Sequence, residues 1–264
     1  MARRGGEAAQ SAQFGQNPRP GTFGNTIVSV PRTPLRSLCL EDSDTLQGQV
    51  AAGQRLFKIR LVDDRGNRQA TGLLVKRRYA WRGYQLGSGD QVHPNRITFS
   101  ACDIDNVIAT ISVGLDSAAG LFVDHLYRRE VDEVRSRNRK VCEFTKLAVE
   151  ASIRSKPVLA ALFHIAYIHG HRINRCTDLI VEVNPRHVAF YKQMLGFSDC
   201  GGERMDPRVG ASAVLLRLDL EFAERQIAEL GGHPELARTC RSLYPYFFAP
   251  NEEIQIERRL RTVG

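Results

Sequence analysis

Val183-Asn184-Pro185-Arg186-His187-Val188-Ala189-Phe190-Tyr191-Lys192-Gln193-Met194-Leu195-Gly196-Phe197 carries the clearest structural signal in the chain. Asn184-Pro185 is a helix start, because an Asn side chain caps orphan amides and Pro fits the first turn. Gly196 ends that helix, and Val188, Tyr191 and Leu195 recur on one apolar face. Immediately upstream, residues 176–183 read as a continuous apolar strand of the kind buried on both faces. Before them, residues 156–171 read as a helix, with Ser155 as cap, Pro157 in the first turn and Gly170 as terminator. Residues 140–150 read as a further strand, apolar or β-branched at most positions. A strand–helix–strand–helix core therefore spans residues 140–197.

Working outward, residues 56–62 alternate as a strand, stopped by Asp63, Asp64 and Gly66. Residues 70–84 form a basic amphipathic helix, with Leu73, Leu74, Tyr79 and Trp81 among Lys76, Arg77, Arg78 and Arg82. Two strands follow at 96–103 and 107–115, separated by the turn Asp103-Ile104-Asp105-Asn106, and then a charged helix over 122–137. A last core strand covers 211–220 and a helix 221–230; the tail carries Tyr244-Pro245-Tyr246-Phe247-Phe248 and a charged terminal helix. This order implies an α/β (α+β) domain with a mixed sheet covered by helices on both faces. Residues 1–50, rich in Gly, Ser, Gln, Pro and Arg, read as mostly disordered around one apolar patch at 26–30. The domain occupies 51–220, and 221–264 is a helical extension packed on it.

The 264 residues are 42% hydrophobic and 25% charged, the balance of an ordinary globular protein. No apolar run is long enough to span a membrane, and the two arginines near the start precede no apolar stretch, so a cytoplasmic location is expected, with peripheral membrane contact left open. The net charge of +8 attracts anionic partners without choosing among them. No nucleic-acid module is visible. The six cysteines show no CxxC spacing, which argues against zinc and disulfides; Cys142, among basic neighbours, comes nearest to a reactive setting. His164, His169 and His171 lack the i, i+4 spacing of helical metal ligands, so no metal is expected.

The strand–helix core resembles that of the GNAT acyltransferases, and the wording of residues 184–197 is closest to the long-chain N-acyl amino acid synthases. The resemblance extends over residues 56–220 and includes the basic helix with Arg78-Tyr79-Ala80-Trp81-Arg82. Glu143-Phe144-Thr145-Lys146 and the Arg77, Trp81 spacing are similar to elements of the acyl-homoserine lactone synthases, with Lys146 where those have Arg. The resemblance implies a GNAT-like, mostly antiparallel sheet and transfer of a long-chain acyl group from an acyl carrier protein to the α-amine of an amino acid. The alternatives are acyl-CoA with another amine, or a non-catalytic acyl- or partner-binding module. No resident cofactor is implied; acyl-phosphopantetheine, or acyl-CoA, is the cosubstrate.

That chemistry needs a base for the amine, donors for the oxyanion and an acid for the thiolate. Glu143 is the expected base, an acid interrupting an apolar strand, with Asp103 and Asp105 as substitutes. The resemblance places oxyanion donors at Leu147, Ala148 and Val149 and the acid at Tyr191. Residues 152–157 stand where CoA-dependent relatives carry a glycine-rich loop, and contain no glycine. Arg154, Ser155, Lys156 and the helix dipole suit a single phosphate better than a diphosphate. Arg77, Trp81, Asp103, Lys146 and Asn184 are candidate substrate contacts. Lys76, Arg77, Arg78, Arg82, Arg128, Arg129, Arg135, Arg137, Arg139 and Lys140 are expected to form a docking face for an acidic carrier.

Overall fold

The computed structural model describes residues 26–31, 56–62, 65–80, 95–103, 106–151 and 155–263. They form one eight-stranded sheet in the order β1-β2-β3-β4-β5-β6-β8-β7. Its strands are β1 (Thr26–Pro31), β2 (Leu56–Leu61), β3 (Arg96–Asp103), β4 (Asn106–Leu115), β5 (Val141–Val149), β6 (Asp178–Val183), β7 (Ser198–Asp206) and β8 (Ala211–Asp219). β5 and β6 pair parallel and the other neighbours antiparallel. The helices are α1 (Arg65–Ala80), α2 (Asp124–Arg135), α3 (Lys156–Tyr167), α4 (Val188–Leu195), α5 (Leu220–Leu230) and α6 (Pro250–Val263). The architecture is the mixed α/β, GNAT-like one expected.

Side-chain alternation divides the sheet into two buried faces. On one, Phe57, Ile59, Phe99, Ala101, Ile111 and Val113 join α3, α4 and the C-terminal segment in the large apolar core. On the other lie α1, packing Leu74 and Val75 on Ala148, and α2, packing Val123, Tyr127 and Val131 on Val141, Ile180 and Leu215. The first face is apolar throughout, whereas the second is unusually polar under α1 and beside the start of α2.

Three elements differ from the sequence reading. The first helix lies at Arg65–Ala80 rather than 70–84, which puts Trp81 outside the described residues. Gly170 does not end α3: the helix continues as a π-helical turn, Ile168–Ile173, and a Cβ at Gly170 would stand 3.1 Å from the Cys142 sulfur. Glycine there permits close packing of helix on strand. Strand β7, Ser198-Asp199-Cys200-Gly201-Gly202-Glu203-Arg204-Met205-Asp206, has no apolar periodicity to announce it. It exists because β8 offers it an edge and Tyr127 of α2 reaches over it. The Tyr127 hydroxyl donates to Gly202 O at 2.9 Å and Ala213 O at 2.7 Å, and a Cβ at Gly201 would meet its ring at 2.9 Å.

The tail is tied to the apolar face. Tyr244 donates to Leu195 O (2.8 Å), and the buried His164 ring accepts the Phe248 amide at Nδ1 (2.9 Å), leaving Nε2 to donate to Glu253 (3.3 Å). Arg172 also binds Glu253, and Arg259 reaches Ile27 O of the edge strand β1.

Candidate active site

The parallel ladder between β5 and β6 runs from Val141 opposite Asp178 to Phe144 opposite Val181, and there it stops. Both strands continue beyond it, so they part and leave a wedge. At the same point β5 bulges. Thr145 lies opposite Ser112 and Ala148 opposite Thr110, so Lys146 and Leu147 have no ladder partner on β4. Lys146 adopts φ +52°, a left-handed conformation that a non-glycine residue rarely holds without constraint. The bulge leaves Lys146 and Leu147 outside the β4 ladder, Ala148 and Val149 rejoin it opposite Thr110 and Ala109, and past Phe144 the main-chain N–H groups that point toward β6 meet no rung of its ladder. An oxyanion needs donors of this kind, and Leu147, Ala148 and Val149 are the residues named for it above.

Thr145 is the first β5 residue past the ladder, and its counterpart on β6 is Glu182. Both lie on the α1/α2 face, because Glu143 opposes Ile180 one rung earlier. Sequence reasoning missed Glu182: it sits between Val181 and Val183 in a run taken as wholly apolar, yet a lone acid in such a run is the signal that singled out Glu143. Arg208 donates to both Glu182 oxygens (3.0 and 2.8 Å), to Asp206 and to Phe122 O (2.9 Å). Burial, with the Asp206 carboxyl alongside, pushes Glu182 up to about 7 despite Arg208. A carboxylate raised in this way, just past the last rung of a parting strand pair, is suited to general-base work.

Glu143 is buried, 2% exposed, as expected, but both its oxygens are occupied. Oε1 accepts from Arg96 (2.5 Å) and the Phe122 amide (3.0 Å), and Oε2 accepts from the Val123 amide (3.0 Å). Val123 is the N-cap of α2 and has no side-chain cap, so Glu143 serves that helix start from across the sheet. Its side chain crosses Gly114, where a Cβ would lie 2.8 Å from Oε1. This is the geometry of a positioning carboxylate. It holds Arg96 and Phe122, whose half-exposed ring lies between the Arg96 and Arg208 guanidinium groups (5.3 and 4.4 Å to the centroid).

The remaining candidates scatter. Tyr191 packs edge-on against Phe163 (6.0 Å) and Phe197 (5.3 Å), and burial, with Tyr79 nearby, raises its phenol, keeping the proton in place. Ser155 caps α3 through the Val158 amide (3.4 Å), and Lys156 follows at the helix start; Arg154 lies outside the described residues. Asn184 caps the turn before α4 and donates to Ser212 O (3.2 Å), a structural employment. Arg77 is exposed on α1 and paired with Glu150; Asp103 ends β3 opposite Asn106; Asp105 lies outside the described residues.

Two expectations need correction. Arg135 and Arg139 do not belong to a docking face: Arg135 is clamped by Asp116, Asp124 and Asp132, and Arg139 by Asp178 and Asp219. Arg128 and Arg129 are exposed, but Asp132 and Glu133 neutralise them one turn on. Helix α1 carries Arg68, Lys76, Arg77 and Arg78 and no acidic residue of its own, with Arg77 paired to Glu150. Nor is Cys142 reactive, since the neighbouring Cys176 and burial both raise its thiol. The three histidines serve separately, His164 against Glu253, His169 against Phe99 and His171 against Glu224.

The wedge and the bulge thus lie in a sheet with the apolar core and α3 on one face and the polar face under α1 on the other. The structure of FeeM, an N-acyl amino acid synthase from uncultured soil microbes, is similar over 62% of this chain and 92% of that one, with a TM-score of 0.59 at 24% identity. Weaker likenesses include Escherichia coli ElaA (TM-score 0.47, 10% identity, 62% of this chain and 99% of that) and the AHL synthase LasI (0.44, 13%, 62% and 90%). No curated protein matches the chain. The family model of the N-acyl amino acid synthase FeeM matches residues 70–219, more than half of the sequence, and takes in β3 to β8 with the wedge and the bulge. The chain is an N-acyltransferase and belongs to the FeeM family of N-acyl amino acid synthases.

Proposed function

We propose that the chain transfers a long-chain fatty acyl group from the phosphopantetheine thioester of an acyl carrier protein to the α-amine of an amino acid, in the cytoplasm and without a resident cofactor. The observation that carries this reading is the β5–β6 wedge beside the Lys146 bulge, because a parted strand pair gives a thioester a slot next to backbone that has left the β6 ladder. The ammonium of the amino acid loses a proton to Glu182 at the mouth of the wedge. The amine then attacks the thioester carbon, the oxyanion is held by the amides of Leu147, Ala148 and Val149, and a C–N bond replaces the C–S bond. Tyr191 gives its proton to the departing thiolate and takes the second proton of the attacking nitrogen in return, so that a thiol and a neutral amide leave. Glu143 keeps Arg96 and the start of α2 in place throughout.

A carrier protein is favoured over CoA because residues 152–157 lack the glycines that let a backbone approach a diphosphate. Ser155 spends its hydroxyl on capping α3, and Lys156 with Arg154 and the helix dipole suits one phosphate. The basic helix α1, which carries no acidic residue of its own, is where an acidic carrier would dock. The test compares initial rates with dodecanoyl carrier protein and dodecanoyl-CoA at equal concentration against a panel of amino acids, with products identified by mass spectrometry. Faster turnover with CoA overturns the donor assignment, and no N-acyl amino acid with either donor overturns the reaction.

A further inference from the structure

The face of the sheet beneath α1 holds buried polar groups that no partner among the described residues satisfies. Arg60 on β2 lies opposite Ser100 on β3, which lies opposite Thr110 on β4, which lies opposite Ala148 at the bulge. Directly opposed residues share a face, so these four form one row ending at the proposed oxyanion donors. Arg60 is 8% exposed and Thr110 is fully buried, and neither Arg60 Nε nor Thr110 Oγ1 has a hydrogen-bond partner. Thr71 of α1 is also buried with an unpartnered Oγ1. It lies one turn before Leu74 and Val75, which pack on Ala148, so α1 brings its hydroxyl over the same face. In the next rows, Thr145 Oγ1 and Arg96 Nε are likewise buried and unpartnered.

Such groups are costly one by one and are rarely left together. A threonine hydroxyl can be satisfied by water, but a guanidinium in a protein interior needs an anion as well. Among the described residues no carboxylate pairs with Arg60: Glu143 is committed to Arg96 and the α2 amides, and Glu182 to Arg208. No described residue supplies that anion, so the site is suited to one brought by a ligand. Arginine's planar fork matches a carboxylate, and the two hydroxyls are neutral donors that suit it too.

We propose that Arg60, with Thr110 and Thr71, is the site that holds the carboxylate of the acceptor amino acid. Its position follows from the row. The backbone of Arg60 is three strand spacings, about 14 Å, from that of Ala148, a span filled by an arginine lying along the sheet and an amino acid whose amine points to the wedge. The site relieves Lys146, at the bulge, of carboxylate recognition, for which its point charge is poorly shaped. The assignment rests on the amino-acid acceptor proposed above and adds which group recognises it.

Two measurements test it. In steady-state assays Arg60→Gln should raise the KM for the amino acid about 10- to 100-fold, the loss of a charge-assisted hydrogen-bond pair, with kcat much less affected and partial recovery in Arg60→Lys. The wild type should show a comparable penalty for the amino acid's amide, and Arg60→Gln should not distinguish acid from amide. Without turnover, calorimetric binding of N-dodecanoylglycine against its methyl ester should show a preference for the acid in the wild type that Arg60→Gln abolishes. Arg60→Met should also raise the melting temperature, since it removes an unpaired buried charge; a structural arginine would do the reverse. Equal handling of acid and ester by the wild type, failure to bind either, or a KM unmoved by Arg60→Gln overturns the site. Absence of amino-acid acylation overturns the acceptor reading, which the ester comparison does not depend on.

Discussion

Replacing Glu143 by Gln separates a positioning carboxylate from a base. Oε1 accepts two donors and Oε2 one, so whichever way the Gln amide turns, its NH₂ faces an N–H group. Breaking a buried ion pair by removing one charge costs about 3–5 kcal/mol. Arg96 retains its contact with the Phe122 ring and some exposure, which places the expected loss near the lower end, about 3 kcal/mol. At about 2–4 °C per kcal/mol for a domain of this size, the melting temperature should fall by roughly 6–12 °C. Gly114→Ala should reproduce the direction without altering any charge, because its Cβ would meet the same carboxylate at 2.8 Å. Assayed well below its own melting point, Glu143→Gln should lose less than about 10-fold in kcat, whereas removal of a general base costs about 10²–10⁴. An unchanged melting temperature with kcat reduced a hundredfold or more would falsify the positioning role and return the proton transfer to Glu143.

Glu182→Gln should lower kcat about 10²- to 10⁴-fold and remove the rising limb of the pH–rate profile near 7, since the base must be deprotonated to act; a retained limb points to another group. Gly201→Ala should destabilise the fold by driving a Cβ into the Tyr127 ring, and urea melts read this directly; a neutral effect would mean that α2 shifts freely over β7. Acid should weaken the fold through the histidines. Burial lowers His164 and takes His169 down to about 4, so the unfolded chain binds protons first. Their contribution is present above about 6.5 and is lost as pH falls toward 4. Melting curves across that window should shift downward in the wild type and less in His169→Gln.

The segment from Asn184 to Gly196 was legible because its signals are local: a cap, a proline, an apolar stripe and a left-handed glycine. The site was less legible because its chemistry is non-local. Glu143 and Glu182 both interrupt apolar strands, and nothing in either strand says that one is held by an arginine and two main-chain amides and the other by a single arginine at the parting of the strands. What decides is Gly114 on the neighbouring strand and the arrival of α2 with its uncapped amides over Glu143, while Glu182 lies past the last rung of the ladder. Likewise Arg135 and Arg139 read as surface charge, since their partners Asp116, Asp178 and Asp219 stand tens of residues away. Strand β7 was illegible for the converse reason. Its glycines leave room for a tyrosine that approaches from another element.

The same non-locality explains why alternation in β2, β3 and β4 misleads. Polar residues at every second strand position ordinarily mark a solvent face. Here Arg60, Thr98, Ser100, Thr110 and Ser112 alternate with Phe57, Ile59, Phe99, Ala101 and Ile111 in that way, yet most of the polar set is buried under α1. Folding gains little from enclosing hydroxyls and guanidinium groups, and each that stays unpaired subtracts from stability. A sheet with one apolar and one polar buried face therefore has its apolar side explained by packing alone. Its polar side is the one on which we place the substrate's carboxylate, along the row that runs from Arg60 to the bulge.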